Sequence, residues 1–238
     1  MSVVEGPNTV KSGLVLELDA GNTKSYSGTG TTWFDKSGNN YIGVLNNGPT
    51  FNTGSLGSLV FDGTDDYGYI TGSFETYSNF TVSFWININT LLNHRGIFVM
   101  KNASDSTDYN SNNFVIHTIS GGYFGMECNN LFGGNTSRNN TVIYQKTSHC
   151  TVVCNQSSNL VTYYLNGVAD GTQPITSTVT FNDHNLLFLA CRQFSATGVN
   201  NYQNPLAGTL FNYLFYNRAL SPSEVLQNYN ATKGRFGL

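Results

Sequence analysis

The chain has 238 residues, of which only 11% are charged, and a net charge of −3. It carries no block of Lys or Arg, so the attraction that dominates nucleic-acid binding is missing. No apolar run approaches the ~20 residues that a membrane-spanning helix needs, and an aromatic content of 13% excludes a disordered chain.

Residues 1–12, "MSVVEGPNTVKS", read as an N-terminal arm, with Val3 and Val4 as candidate interface residues. They lack a charged segment followed by an apolar run, so no signal peptide is expected. From residue 13 onward the pattern has period two. "GLVLEL" (13–18) and "SLVFDG" (58–63) come first, then "NFTVSFWINI". In that last segment Phe80, Val82, Phe84, Ile86 and Ile88 share one face; Thr81, Ser83, Trp85 and Asn87 share the other. Strands are further expected at 96–101, 113–119, 123–128, 141–145, 150–154, 160–167, 186–190 and 208–217, with surface loops at 102–113, 129–140 and 192–205. Asp62-Gly63 and Asn166-Gly167 are tight-turn dipeptides, since glycine accepts positive φ without steric cost. Many short strands without crossover helices predict an all-β antiparallel sandwich or barrel. No composition break marks a second domain, so 13–238 is taken as one unit.

The helical pattern comes at the end, in "LSPSEVLQNYNAT". Ser221 is the expected N-cap, Pro222 the first helical residue and Glu224 the closing member of a capping box. Val225, Leu226 and Tyr229 make the expected apolar face, Leu220 and Val225 a hydrophobic staple, and Gly234 the stop. The last residues are predicted to be extended. Phe236 should be largely buried and Lys233 and Arg235 should form a solvated rim. Arg235, Phe236 and Leu238 are candidate interface residues.

Several segments in this order carry a family resemblance: "GLVLELDAGNTKSY", "TTWFDKSGNN", "SLVFDGTDDYGYI", "FTVSFWI", "VTYYLNGV" and "FNYLFYNRALSPSEVLQNYNATKGRFGL". Together they resemble the laminin-G-like, concanavalin A-like jelly-roll domains, and most closely those in virion structural proteins of tailed phages, marine phages among them. The resemblance implies two packed antiparallel sheets of the concanavalin A type. It also implies a virion location, with capsid or tail proteins as partners, and a homo-oligomer, a trimer by analogy with that setting. A capsid decoration protein or a head or short fibre is the expected role; a glycan-binding adhesin or receptor-binding module of the tail is the alternative.

This fold also hosts glycosidases, which need two carboxylates at a set separation. The nearest pair, Glu17 and Asp19, reads as a surface or loop-anchoring pair, so no enzyme is expected. Asp62, Asp65 and Asp66 in "FDGTDDY" are the candidate calcium ligands. The competing reading has Asp62 and Asp66 holding turn amides, and Asp19 and Asp35 read the same way. No other cofactor is expected. Cys128, Cys150, Cys154 and Cys191 are expected as free, partly buried thiols, since a strand would hold Cys150 and Cys154 about 13 Å apart. His94, His117, His149 and His184 show no metal spacing, and His94 reads as a solvated turn residue. Sugar binding wants aromatic platforms beside hydrogen-bonding amides. The candidates are Tyr109 with Asn112, Phe132 with Asn135 and Arg138, and Tyr202 with Gln203.

Overall fold

The computed structural model describes residues 8–54, 56–105, 113–132, 136–181, 183–192 and 203–238. Two antiparallel sheets, each of eight strands among the described residues, face one another. The first runs β14 (Val168–Pro174), β13 (Leu160–Leu165), β12 (Ser148–Asn155), β7 (Phe80–Ile88), β16 (Ala207–Tyr216), β5 (Ser58–Asp62), β4 (Thr50–Asn52), with β1 (Leu14–Asp19) also on β16. The second runs β11 (Thr136–Arg138), β10 (Tyr123–Glu127), β9 (Phe114–Ile119), β8 (Gly96–Lys101), β15 (Leu186–Leu189), β6 (Tyr67–Thr71), β3 (Ile42–Asn46), β2 (Thr32–Phe34). This is the predicted sandwich.

The core is the apolar face of each alternating strand. Phe80, Val82, Phe84, Ile86 and Ile88 all lie in it, as the pattern of β7 required. Phe80 stacks on Phe114 of the opposite sheet at 4.2 Å between centroids. Tyr213 and Tyr163 bring hydroxyls into the core, and each reaches across it. Tyr213 donates to the Ile97 carbonyl at 2.7 Å, and Tyr163 accepts from Met126 N at 3.2 Å. That satisfies groups that would otherwise be costly to bury. All four cysteines are buried and none is in a disulfide; burial pushes the thiols of Cys128, Cys150 and Cys154 up, Cys128 to about 12.

The other face of β7 is covered too. Thr81, Ser83 and Trp85 are buried as well. Helix α2 (Pro222–Thr232) and the 3-10 turn Lys233–Phe236 lie over them. Val10, Val153, Tyr164, Leu214, Tyr216, Leu220 and Val225 form a second apolar cluster there. The capping box of α2 is present: Ser221 Oγ accepts from Glu224 N, and Glu224 Oε2 accepts from Ser221 N at 2.9 Å. Arg218 adds a two-pronged pair to the Glu224 carboxylate, at 2.6 and 3.0 Å, and this holds its pKa down to about 2. Leu226, however, is exposed, and Asn228 takes the buried position in its place. Asn228 accepts from Val10 N at 2.8 Å and donates to Tyr216 Oη at 3.0 Å, so a polar side chain ties the N-terminal segment to the helix.

The chain end also differs from the extended form expected. After Thr232 it tightens into the 3-10 turn, and the left-handed residue that closes it is Gly237 (φ 71°), not Gly234. Side-chain anchoring explains the turn. Phe236 stacks on Trp85 at 4.0 Å and meets Phe211 edge-on at 4.9 Å. Arg235 donates to Asp19 Oδ1 at 2.7 Å and to the carbonyls of Leu56 and Gly57. Arg235 is therefore a lock rather than part of a solvated rim. Phe236 is half-buried against its own domain. A Cβ at Gly21 would run into the Arg235 guanidinium and the Leu56 carbonyl, so the lock needs glycine there.

Three loop and strand expectations need correction. Residues 141–145 are not a strand. They cross between sheets, with Ile143 N bonded to Gly122 O and Gln145 N to Ile88 O. The expected loop 129–140 instead holds the short helix α1 (Asn129–Phe132) and β11. The strands β2, β3, β4, β6 and β14 carry no clear alternation beyond three to five residues and were not expected. The Asn166-Gly167 turn does hold, with φ of 50° and 79°.

Candidate functional site

The outward face of the second sheet follows from strand register, because directly paired residues point the same way. One row crosses the sheet through Glu127, Val115, Val99, Phe188, Tyr69, Val44 and Thr32. Its middle, Val99, Val115, Leu186, Phe188 and Cys191 with Tyr67, is a third buried apolar cluster. The two ends differ in chemistry.

At the β6–β3–β2 end the face is open. Phe34 is 47% and Ile42 51% exposed, and Val44 and Tyr69 are half-buried beside them. Tyr67 and Tyr69 lie 6.3 Å apart with rings inclined by 27°. Asn46, Thr32 and Thr71 supply hydrogen-bonding groups on the same face. Apolar side chains are exposed here because β2 and β3 alternate correctly. Trp33 and Leu45 fill the core and leave Phe34, Ile42 and Val44 outside.

At the β8–β11 end the face is polar and closed. His117 and Arg192 are fully buried, and the Glu127 side chain is 14% exposed. Arg192 Nη1 donates to Glu127 Oε2 and to His94 Nδ1, each at 3.0 Å. Arg192 is set by paired backbone bonds with Gln203, 2.8 and 2.6 Å. His94 sits in a left-handed turn (φ 57°) held by Thr118, whose carbonyl accepts from His94 N and whose hydroxyl accepts from Arg95 N. The His94 and His117 rings stack at 5.0 Å. His117 Nδ1 faces the Thr118 carbonyl at 2.9 Å, which assigns the proton to that nitrogen. Its Nε2 lies 3.6 Å from Glu127 Oε2 and has no hydrogen-bond partner. Burial, and then the Arg192 charge, hold the His117 pKa well below the usual histidine value, so this contact joins a carboxylate to a neutral ring.

The expected sugar-binding residues fare unevenly. Tyr109, Asn112, Asn135 and Tyr202 lie outside the described residues, as do Val3 and Val4. Phe132 must be withdrawn: it is 1% exposed and packed in the core, because α1 turns it inward. Arg138 is exposed and lies over the Tyr123 ring at 4.0 Å, and Gln203 is half-buried beside Arg192. Phe34, Ile42, Val44 and Tyr69 were missed. The alternation in "TWF", "IGVLN" and "YGYIT" was the signal, too short to stand out alone. His94 was also misread, since it is packed against His117 rather than solvated.

Other candidate residues make contacts within the fold. Asp62 Oδ1 accepts from Thr64 N at 2.7 Å, and Asp66 Oδ2 accepts from Asp62 N at 3.0 Å, although the carboxylates of Asp62, Asp65 and Asp66 do converge. Glu17 is paired with Lys11 and Asp19 with Arg235, each at 2.7 Å. Ser83 Oγ and His149 Nε2 lie 2.8 Å apart, a spacing a nucleophile and base would show. Burial holds the His149 pKa at about 3, and Trp85 and Tyr229 cover it, so it is a packed polar pair.

Comparison with known proteins agrees with this architecture. No curated protein matches the chain significantly in sequence. Among solved structures, the binding domain of Paraclostridial Mosquitocidal Protein 1 superposes with a TM-score of 0.65 at 21% identity, over 93% of this chain and 52% of that one. The binding domain of Botulinum Neurotoxin DC in complex with SialylT gives 0.65 at 15% identity, over 93% and 52%. A Trypanosoma rangeli sialidase in complex with 2,3-difluorosialic acid gives 0.66 at 14%, over 97% and 35%. The chain thus spans about half the length of the toxin structures and about a third of the sialidase. At these identities the likeness is one of fold. The profile of the Laminin_G_3 family matches residues 62–226, more than half of the chain, and the chain therefore belongs to this family of the concanavalin A-like lectin/glucanases superfamily.

Proposed function

We propose that the chain is a non-enzymatic, glycan-binding structural domain displayed on the surface of a phage virion. The observation that carries the glycan reading is the open patch of Phe34, Ile42, Val44 and Tyr69, flanked by Asn46, Thr32 and Thr71. Contiguous exposed apolar surface with a polar rim is characteristic of interaction sites. Aromatic faces beside amides and hydroxyls match the two-sided chemistry of a sugar ring, apolar C–H on one side and hydroxyls at the edge. Two of the similar solved structures, a neurotoxin binding domain and a sialidase, are complexes with SialylT and with 2,3-difluorosialic acid, which supports the class of ligand.

The non-enzymatic part rests on the same face. Among the described residues, Glu127 is the one carboxylate that a strand places there, and it is held by Arg192. Two-carboxylate glycoside hydrolysis wants a second one about 5–10 Å away. The virion setting is supported by the segments from "GLVLELDAGNTKSY" to "YNRALSPSEVLQNYNATKGRFGL". An adhesin or receptor-binding module of the tail would use the same surface.

A glycan array probed with wild type and Tyr69→Ala tests the reading, with equal thermal stability as the control. Specific binding lost in the variant is expected. No binding to any glycan, or binding unaffected by Tyr69→Ala, would remove the patch as the site. Mapping the polypeptide in purified particles separates capsid from tail; its absence from particles would end the virion reading.

A further inference from the structure

We infer that His94, His117 and Glu127 form a site for one divalent transition-metal ion of the zinc type. One donor atom from each of the three lies within 4.8 Å of the others. They come from separate elements: the turn before β8, strand β9 and strand β10. Two of the donors therefore stand on paired strands, a rigid base for a site. Two imidazoles and one carboxylate make a borderline donor set that suits zinc, whereas calcium takes six to eight oxygens. Three protein ligands leave a fourth position for water or a ligand atom.

His117 supplies the second, independent observation. Its side chain is fully buried, and Nε2 has no hydrogen-bond partner. With the proton on Nδ1, held by the Thr118 carbonyl at 2.9 Å, the lone pair of Nε2 points into the cluster, towards Glu127 Oε2 at 3.6 Å. A buried lone pair facing a carboxylate is an unfavourable arrangement that a cation between them would relieve. Backbone anchoring of the far nitrogen is also how metal-bound histidines are commonly oriented. Donors bound tetrahedrally at about 2.1 Å lie about 3.4 Å apart, so this pair is already near the required spacing. Glu127 retains some exposure, which gives an ion a way in.

Arg192 sets the affinity. Its Nη1 now bonds both Glu127 Oε2 and His94 Nδ1. Metal entry on His94 Nδ1 displaces that bond, while Arg192 can keep its hold on the carboxylate. Arg192 thereby restricts the site to ions that bind imidazole strongly, and it opposes weakly held ones.

The test is zinc binding by the full chain, stripped with chelator and then titrated with zinc chloride, read by calorimetry and by metal content after gel filtration. One zinc per chain is expected, with a raised melting temperature. Cobalt in its place should give the visible absorption of a four-coordinate ion. His117→Ala and Glu127→Gln should each weaken binding at least about tenfold, and Asp65→Asn, at the acidic turn, should leave it unchanged. If His117→Ala does not fold, Glu127→Gln alone decides the matter. Zinc content no higher than a buffer blank, or zinc retained equally by Glu127→Gln, would overturn the assignment.

Discussion

Replacing Phe236 with alanine should destabilise the protein by about 2 kcal/mol. A fully buried phenylalanine costs roughly 3–5 kcal/mol to truncate. Phe236 is half-buried, which reduces the transfer and cavity cost to about 2 kcal/mol. The range comes from whole-side-chain truncations, so the ring contacts on Trp85 at 4.0 Å and against Phe211 at 4.9 Å are not added to it. In a chain of this length the melting temperature should fall by about 4–8 °C. Urea unfolding followed by tryptophan fluorescence gives the first quantity, and thermal unfolding gives the second. The native emission should also shift to the red, because Trp85 loses the ring that covers it while Trp33 stays in the core. A loss below about 0.5 kcal/mol with unchanged emission would refute the view that this terminus is part of the fold.

The neighbouring lock should behave as one unit. Arg235→Ala removes the Asp19 ion pair and the carbonyl contacts and should cost about 1–2 kcal/mol; Gly21→Ala displaces the same guanidinium. The two losses should fall short of adding in the double variant, and full additivity by urea unfolding would dismiss the coupling. Stability should also depend on acid through His149. Its pKa is about 3 in the fold against 6.5 unfolded, so between these values the unfolded chain binds a proton that the native chain excludes. Its contribution is complete above pH 6.5 and is lost as the pH falls towards 3. His117 acts in the same direction, and Glu224, held at about 2, adds to the loss only below about pH 4.5. His149→Gln should therefore flatten the stability profile between pH 6 and 4.5 by about 1.4 kcal/mol per pH unit. An unchanged slope would show that the ring is accessible to protons when folded.

How far the sequence could be read depended on the range of the interactions. The alternation of β7, the capping box at Ser221 and the turn at Asn166-Gly167 involve neighbours along the chain, and each was legible. The strands β2 and β3 were not, because three to five residues carry too little alternation and their pairing with β6 supplies the rest of the order. Phe132 could not be placed either, since only the one-turn helix α1 decides that it points inward.

Local chemistry in the sequence thus determined an all-β sandwich, its inward-facing residues and a capped helix near the end. Tertiary structure alone decided what the outer faces do. Alternation put Trp85 on the face of β7 away from the core, and only the tertiary structure brings Phe236 and Thr232, remote in sequence, over it. His94, His117, Glu127 and Arg192 come from four separate segments and meet only when β8, β9 and β10 pair. Alternation records which side of a strand is apolar; it holds no record of which distant side chain will come to lie on that side.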